Sequence, residues 1–499
     1  MLSSAMAFLL FGYDQGVFGG LIATPQLLNG LGIGATDANL QGTVVAIYDI
    51  GCLVGCIGTA IFGMKVGRRV LVMIGCCLLI LGAGLQGGAT SVAMMIAGRV
   101  VGGFGTGINS SIIPVWVSEC AHASRRGALV SVQISIVILG LVIAYWFDYG
   151  MVKNMTGGIV WRLPLYFQMV FCVLTLGTIT LLPESPRYLY SKGHLAEADS
   201  VIARIFNVPI DHPTVLQHHR EVIQALEVEH EVKFRISDIL FDRSPVNATW
   251  RIWICILIQF FQQLGGICLI AYYASFLFIN NLGMTPNEAG ITSGGLSLVF
   301  WGGTLTAIWS VEVLGRRPVL LWGAVGCSIC MICYTIGLGV YNDSSLTASV
   351  VFIFLFEFCY GCSWCGLPFL YAAEVTPLHL RHAGSALSVG MEWLMTFVVV
   401  KVGPIGITHA GWKFYLLFCI GNVLQVVFIY LFVKETKGLT LEEIDYLYAK
   451  PSHRAELEEK LAHHRHVVKV DDAEAVVMTA QGDEKKNAEP SHTQHEYSP

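Results

Sequence analysis

Charge is what this sequence has least of. Asp, Glu, Lys and Arg make up only 13% of its 499 residues, where a soluble domain carries about 25%. A hydrophobic share of 54% and a mean hydropathy of +0.63 exclude a water-soluble globule and leave a membrane protein. Positive charge is not in excess either: a net charge of -5 and a pI near 6.3 offer no basic face for phosphates, which excludes a nucleic-acid partner. After Met1 there is neither a basic leader region nor a small-residue cleavage site, so the first hydrophobic stretch reads as a membrane helix rather than a removable signal. No nucleophile constellation, metal cluster or phosphate loop stands outside the apolar segments, so neither an enzyme nor a cofactor is expected. The alternating strands of a membrane barrel are missing too.

What is present is a series of apolar runs of spanning length. Twelve are expected, in two groups of six: about 5–24, 42–63, 70–88, 93–117, 128–148 and 162–182, then 252–279, 288–311, 318–340, 348–372, 384–404 and 412–433. This gives an all-α membrane protein with an N-terminal six-helix half (1–182), a polar linker with short surface helices (183–251), a C-terminal six-helix half (252–433) and a largely disordered tail (434–499). The 53 glycines suit closely packed spans. The fifteen cysteines lie mostly inside apolar runs as small hydrophobes. Two CxxCxxC triplets, Cys327/Cys330/Cys333 and Cys359/Cys362/Cys365, lack histidine or carboxylate support and read as packing rather than zinc ligands.

Lys65, Arg68, Arg69, Arg125, Arg126, Arg316, Arg317 and Arg381 fall in alternate loops. Because positive loops are retained in the cytoplasm, both termini and the linker are expected there. The sequons at Asn154 and Asn342 then face outward and are expected to carry sugar, while that at Asn247 faces inward. An internal repeat accompanies the two halves. Gly67-Arg68-Arg69 is echoed by Gly315-Arg316-Arg317, and Glu119 with Arg126 by Glu374 with Arg381. Such paired charges suit salt bridges that hold one side of a carrier closed, or serve orientation alone.

With Gly12-Tyr13-Asp14-Gln15-Gly16, Gly98-Arg99, Pro183-Glu184-Ser185-Pro186-Arg187, Gln262-Gln263 with Tyr272-Tyr273, Glu312 ahead of Gly315-Arg316-Arg317, and Trp393, the chain resembles the sugar porter family of the major facilitator superfamily. The likeness runs over all twelve spans, and Tyr145 to Gly150 is similar to its fungal branch. The resemblance implies the major facilitator fold and rocker-switch transport, with solute held between the halves. It also implies that Asp14 and Arg99 approach each other, the proton on Asp14 timing the turn, and that Gln262 and Gln263 centre the sugar site. Arg68, Arg69, Glu119, Arg126, Glu184, Arg187, Glu312, Arg316, Arg317, Glu374 and Arg381 make up its cytoplasmic gate.

Physical chemistry agrees at several points and leaves alternatives at each. A carboxylate in an apolar span costs about 2.5–3.5 kcal/mol on insertion scales, so Asp14 needs a partner or a purpose; Arg99 supplies either a proton switch or a static ion pair. The amides of Gln262 and Gln263 suit hydroxyl-rich ligands or helix–helix bonding. Tyr272, Tyr273, Phe369 and Trp393 offer stacking surface or ordinary packing. Amides that the resemblance implies are replaced by Ile134, Cys268 and Phe300, an implied Trp by Phe369, and two implied Asn around Trp393 by Glu392 and Thr396. Glu392 adds a second ionisable group, for a proton, a ligand or a structural bond, and Lys401 near the outer end reads as a snorkelling residue. The expected function is therefore a plasma-membrane proton symporter of a sugar-like solute. A major facilitator transporter, possibly an exporter, of a less polar metabolite is the alternative, and a non-transporting nutrient sensor the third.

Overall fold

The structure is a computed structural model and describes residues 2–34, 36–120, 126–231, 244, 246–377, 380–439, 441–455 and 458. The first set of helices is α1 (Leu2–Leu21), α2 (Pro25–Leu31), α3 (Ala38–Val66), α4 (Arg68–Gly87), α5 (Val92–Glu119), α6 (Arg126–Asn154) and α7 (Ile159–Ile179). Three short helices follow, α8 (Pro186–Ser191), α9 (Leu195–Phe206) and α10 (Pro213–Glu231). The second set comprises α11 (Ala248–Leu264), α12 (Ile267–Leu282), α13 (Pro286–Leu314), α14 (Arg316–Val340), α15 (Asp343–Ser363), α16 (Leu367–Val375), α17 (Arg381–Ala410) and α18 (Tyr415–Phe432), closed by α19 (Leu441–Tyr448).

Among the described residues ten helices are long and apolar enough to cross a membrane, or eleven with the bent pair α1/α2 taken as one span. The remaining span of the twelve expected is not a separate apolar run. It lies within one 49-residue stretch, Gly384–Phe432, which holds α17 and α18 joined by a turn at Gly411–Phe414. The first expected span ends in a sharp bend, and two others are broken within their length. The chain turns by 92° between α1 and α2, with Pro25 opening α2 where its missing N–H costs nothing. Gly265 and Gly266 separate α11 from α12, Gly266 at φ 93°. The second break falls between α15 and α16. The tail beyond 458 and linker residues 232–243 lie outside the described residues.

Glycine brings the first set together. Gly51 and Gly55 on α3 face Gly103 and Gly107 on α5, and a Cβ at either of the latter would overlap the carbonyl of Tyr48 or Cys52. Small-xxx-small faces of this kind let backbones touch, and here they press Tyr48 and Asp49 towards Arg99. Large apolar side chains such as Ile61, Leu181, Trp309 and Trp322 are exposed on the outside of the bundle, as a lipid-facing surface requires.

The principal contacts between the sets run through α3 with α17, α6 with α13, and α1 with α12. Tyr145 donates to the Ala271 carbonyl at 2.7 Å and Tyr149 to Asn287 Oδ1 at 3.2 Å. Lys401 donates to both the carbonyl and the side-chain oxygen of Asn39, at 2.8 and 2.7 Å, and to Thr43. Its ammonium therefore ties α17 to the start of α3 instead of reaching out to the interface. These bonds close the end of the bundle opposite the basic loops.

Candidate functional site

Five carboxylates, those of Asp14, Asp49, Asp148, Glu357 and Glu392, are borne on spans around the interface of the two sets, and Asp14 and Asp49 both lie in electrostatic reach of Arg99. Asp14 on α1 and Arg99 on α5 are both fully buried, with Arg99 Nη1 3.6 Å from Asp14 Oδ1. Arg99 also donates to the carbonyls of Val45 at 2.9 Å and Val44 at 3.3 Å. Its guanidinium lies 4.4 Å from the Phe18 ring centre and 4.3 Å from that of Tyr48, a cation–π cradle that suits a desolvated arginine. The Tyr48 hydroxyl donates to Thr106 at 2.8 Å. The expected pairing of Asp14 with Arg99 is thus a contact in the fold.

Asp49 is a second acid at this centre, and the sequence reading passed over it although it is the sole charge in the run 42–63. It is fully buried on α3, accepts from the Tyr272 hydroxyl of α12 at 3.4 Å, and leaves Oδ2 without a hydrogen bond. Asp148 on α6 and Glu357 on α15 are likewise buried, Asp148 with both oxygens unpartnered.

The break between α11 and α12 sits beside the glutamines. Gln262 donates from Nε2 to the Trp364 carbonyl at 2.9 Å, while its buried Oε1 has no partner. Gln263 Oε1 accepts from the Cys268 thiol at 2.8 Å, and the same thiol lies 3.8 Å from Thr396 Oγ1. Gln259, one turn earlier, is fully buried with both amide atoms unpartnered; its spacing to Gln263 was the available signal. A broken span frees carbonyls for bonding, and Asn422 takes one, donating to Gly265 O at 2.9 Å.

The other expected contacts divide. Tyr273 donates to the Val400 carbonyl at 3.0 Å, joining α12 to α17 within the second set. Trp393 packs on Tyr48, Cys52 and Cys56 of α3 across the set boundary, edge-on to Phe11 at 5.7 Å. Glu392 and Phe369 are half-buried. Ile134 meets the backbone of Gly366, filling space between the sets with hydrocarbon, and Phe300 packs against Tyr360.

The charges at the basic end form two copies of one device. Arg68 pairs with Glu119 at 2.9 Å, and Glu184 accepts the backbone N–H groups of Arg68 and Arg69 at 3.0 and 3.1 Å. In the second set Arg316 pairs with Glu374 at 2.9 Å, and Glu435 accepts the N–H groups of Arg316 and Arg317, each at 3.0 Å. Arg69 and Arg317 donate to the carbonyls of Thr180 and Tyr430, and Ser185 and Thr436 donate to Glu119 and Glu374. Gly67 and Gly315 share φ values of 96° and 94°, and a Cβ on either would come within 2.8 Å of the capping carboxylate. Each bridge joins elements of one set, so it braces that set internally.

Glu312 is exposed, and the acid beside Arg316 and Arg317 is Glu435, which the sequence reading missed. Arg187 lies just past the capping Glu184 at the start of α8. The side chains of Arg126 and Arg381 lie outside the described residues. Because the Glu435 carboxylate accepts the first N–H groups of α14 from outside that helix, doing the work of a cap, Glu435→Ala is expected to destabilise the fold by about 1 kcal/mol. Glu184→Ala should match it. Thermal unfolding of the full chain in detergent reads both.

Two braced bundles around a buried acid–arginine pair and a broken glutamine-bearing span have counterparts elsewhere. A family profile described as "Sugar (and other) transporter" matches residues 1–448. The chain belongs to the sugar transporter family. Among curated relatives of this family member, the MFS-type transporter oryC of Aspergillus oryzae is 33% identical, over 88% of this chain and 83% of its own. The sugar transporter STL1 of Saccharomyces cerevisiae is 32% identical, over 90% and 80%. The structure of the proton:xylose symporter XylE bound to 6-bromo-6-deoxy-D-glucose superposes with a TM-score of 0.75 at 25% identity, covering 90% of this chain and 98% of that one. The transporter is thus a multi-pass protein of the major facilitator fold, not an enzyme.

Proposed function

We propose that this transporter is a proton-coupled symporter of a sugar or similar polyhydroxylated solute in the plasma membrane. In this reading the basic loops and both termini are cytoplasmic, and two halves, divided as 1–182 and 252–433, rock about a central site. Asp14 accepts the proton, Arg99 modulates it, and Gln262 and Gln263 hold the solute beside Tyr272, Tyr273, Phe369, Glu392 and Trp393. The observation that carries the reading is the fully buried contact between Asp14 and Arg99, a carboxylate whose proton affinity changes with any movement of α1 against α5. Its likeness to a proton:xylose symporter and to relatives named as sugar and glucose transporters supports the cargo class. With the lysine bonds closed on the outer side, the gate residues at the basic end brace each half for the opposite opening.

Uptake of labelled hexoses, pentoses and polyols into proteoliposomes at two external pH values tests this directly. Uptake indifferent to the proton gradient would sink the coupling. Gln262→Ala is expected to raise the half-saturation concentration of the cargo by about tenfold, the loss of one buried hydrogen bond worth roughly 1–1.5 kcal/mol, with the fold intact. Orientation has its own check. Mass analysis of membrane-derived protein should find sugar on Asn154 and Asn342 and none on Asn247, whose Nδ2 donates to the Tyr448 carbonyl.

A second reading, transport of a less polar metabolite, rests on the hydrocarbon contact of Ile134 with Gly366 and the thiol of Cys268 between Gln263 and Thr396. Each removes an amide that a sugar hydroxyl would use. Indifference to every sugar and polyol, with export of a lipophilic compound, favours it.

A further inference from the structure

Two carboxylates and one guanidinium, all fully buried, stand around α3: Asp14 on α1, Asp49 on α3 itself and Arg99 on α5. Two carboxylates and one guanidinium sum to a net negative charge unless one proton is bound, and an uncompensated charge out of water is strongly disfavoured. Arg99 spends its resolved hydrogen bonds on the Val44 and Val45 carbonyls and its ionic contact on Asp14, so Asp49 has no hydrogen-bonded cation. It has instead a hydroxyl from the other set, that of Tyr272.

We propose that Asp49 is a second proton carrier of the transport cycle, sharing a single proton with Asp14 over Arg99 and reporting the shared state to the second set through Tyr272. When the proton sits on Asp49, Asp14 is ionised against Arg99. When it moves to Asp14, Asp49 is left ionised, takes over the attraction of Arg99, and becomes a stronger acceptor for the Tyr272 hydroxyl, which tightens α12 onto α3. The proton leaves one carboxyl oxygen and joins the other, so the three groups stay neutral overall and no co-reactant is needed. The groups facing Asp49 are Cys52 on α3, Asp14, Arg99, then Tyr272, Tyr273 and Cys268 on α12 and Glu392 on α17, each in electrostatic reach of it. Glu392 extends the acidic series into the second set.

The inference rests on the proton-coupled reading above, and a measurement without solute separates the two. Infrared difference spectra of the full chain in lipid, titrated with pH in light and heavy water, read protonated carboxyl groups directly. Asp49→Asn and Asp14→Asn should each remove the same single carboxyl component, because either variant leaves one acid ionised against Arg99. Tyr272→Phe should shift the frequency of that component without removing it. Loss in Asp14→Asn alone, with Asp49→Asn and Tyr272→Phe unchanged from the natural protein, overturns the sharing and leaves Asp14 as the sole carrier. No loss in either asparagine variant overturns both readings.

Discussion

Asp14→Asn leaves a carrier that exchanges its cargo across the membrane but no longer concentrates it. One proton moving with the solute down a potential of about 100 mV supplies roughly 2.3 kcal/mol, enough for about fifty-fold accumulation. Asparagine keeps the volume and a hydrogen-bonding amide beside Arg99 but holds no transferable proton. Accumulation in proteoliposomes should therefore fall to the equilibrium level, while exchange of labelled for unlabelled solute persists because the proposed solute contacts, Gln262 and Gln263, are untouched. A variant that still accumulates cargo moves the proton path off α1.

The acid–arginine pair was legible because a charge inside an apolar run has nowhere to hide: Asp14 and Arg99 announce themselves against hydrophobic neighbours. By the same rule Asp49 and Glu357 are open to view in the sequence, since each is the lone charge of its run. Glu435 was a different case. Its carboxylate matters because the chain end after α18 folds back to the loop before α14, a three-dimensional fact that hydropathy does not carry. The weak hint was the shared pattern of an acid followed by a hydroxyl, Glu184-Ser185 and Glu435-Thr436. The break near Gly265 and the bend before Pro25 followed from residues in plain sight, but periodicity averages across them. Lys401 looked like an interfacial lysine because its partners, Asn39 and Thr43, stand more than 350 positions away.

Arg99→Met is expected to be the most damaging single change in the membrane core. Methionine fills much of the space between Phe18 and Tyr48, so packing is not the chief loss. What remains is Asp14 buried without its cation, together with the Val44 and Val45 carbonyls robbed of a donor, and breaking a buried pair from one side costs about 3–5 kcal/mol. That is a large part of the 5–15 kcal/mol or so that holds a typical domain together, so the yield of folded protein in detergent should collapse. Adding Asp14→Asn removes the stranded charge and should recover most of it, even though that double variant cannot couple to protons. If the double variant is as poorly folded as Arg99→Met, the stability role of Arg99 lies with its ring stacking and carbonyl bonds. Recovery instead means that the same electrostatics that tune the proton on Asp14 make Arg99 indispensable to the fold.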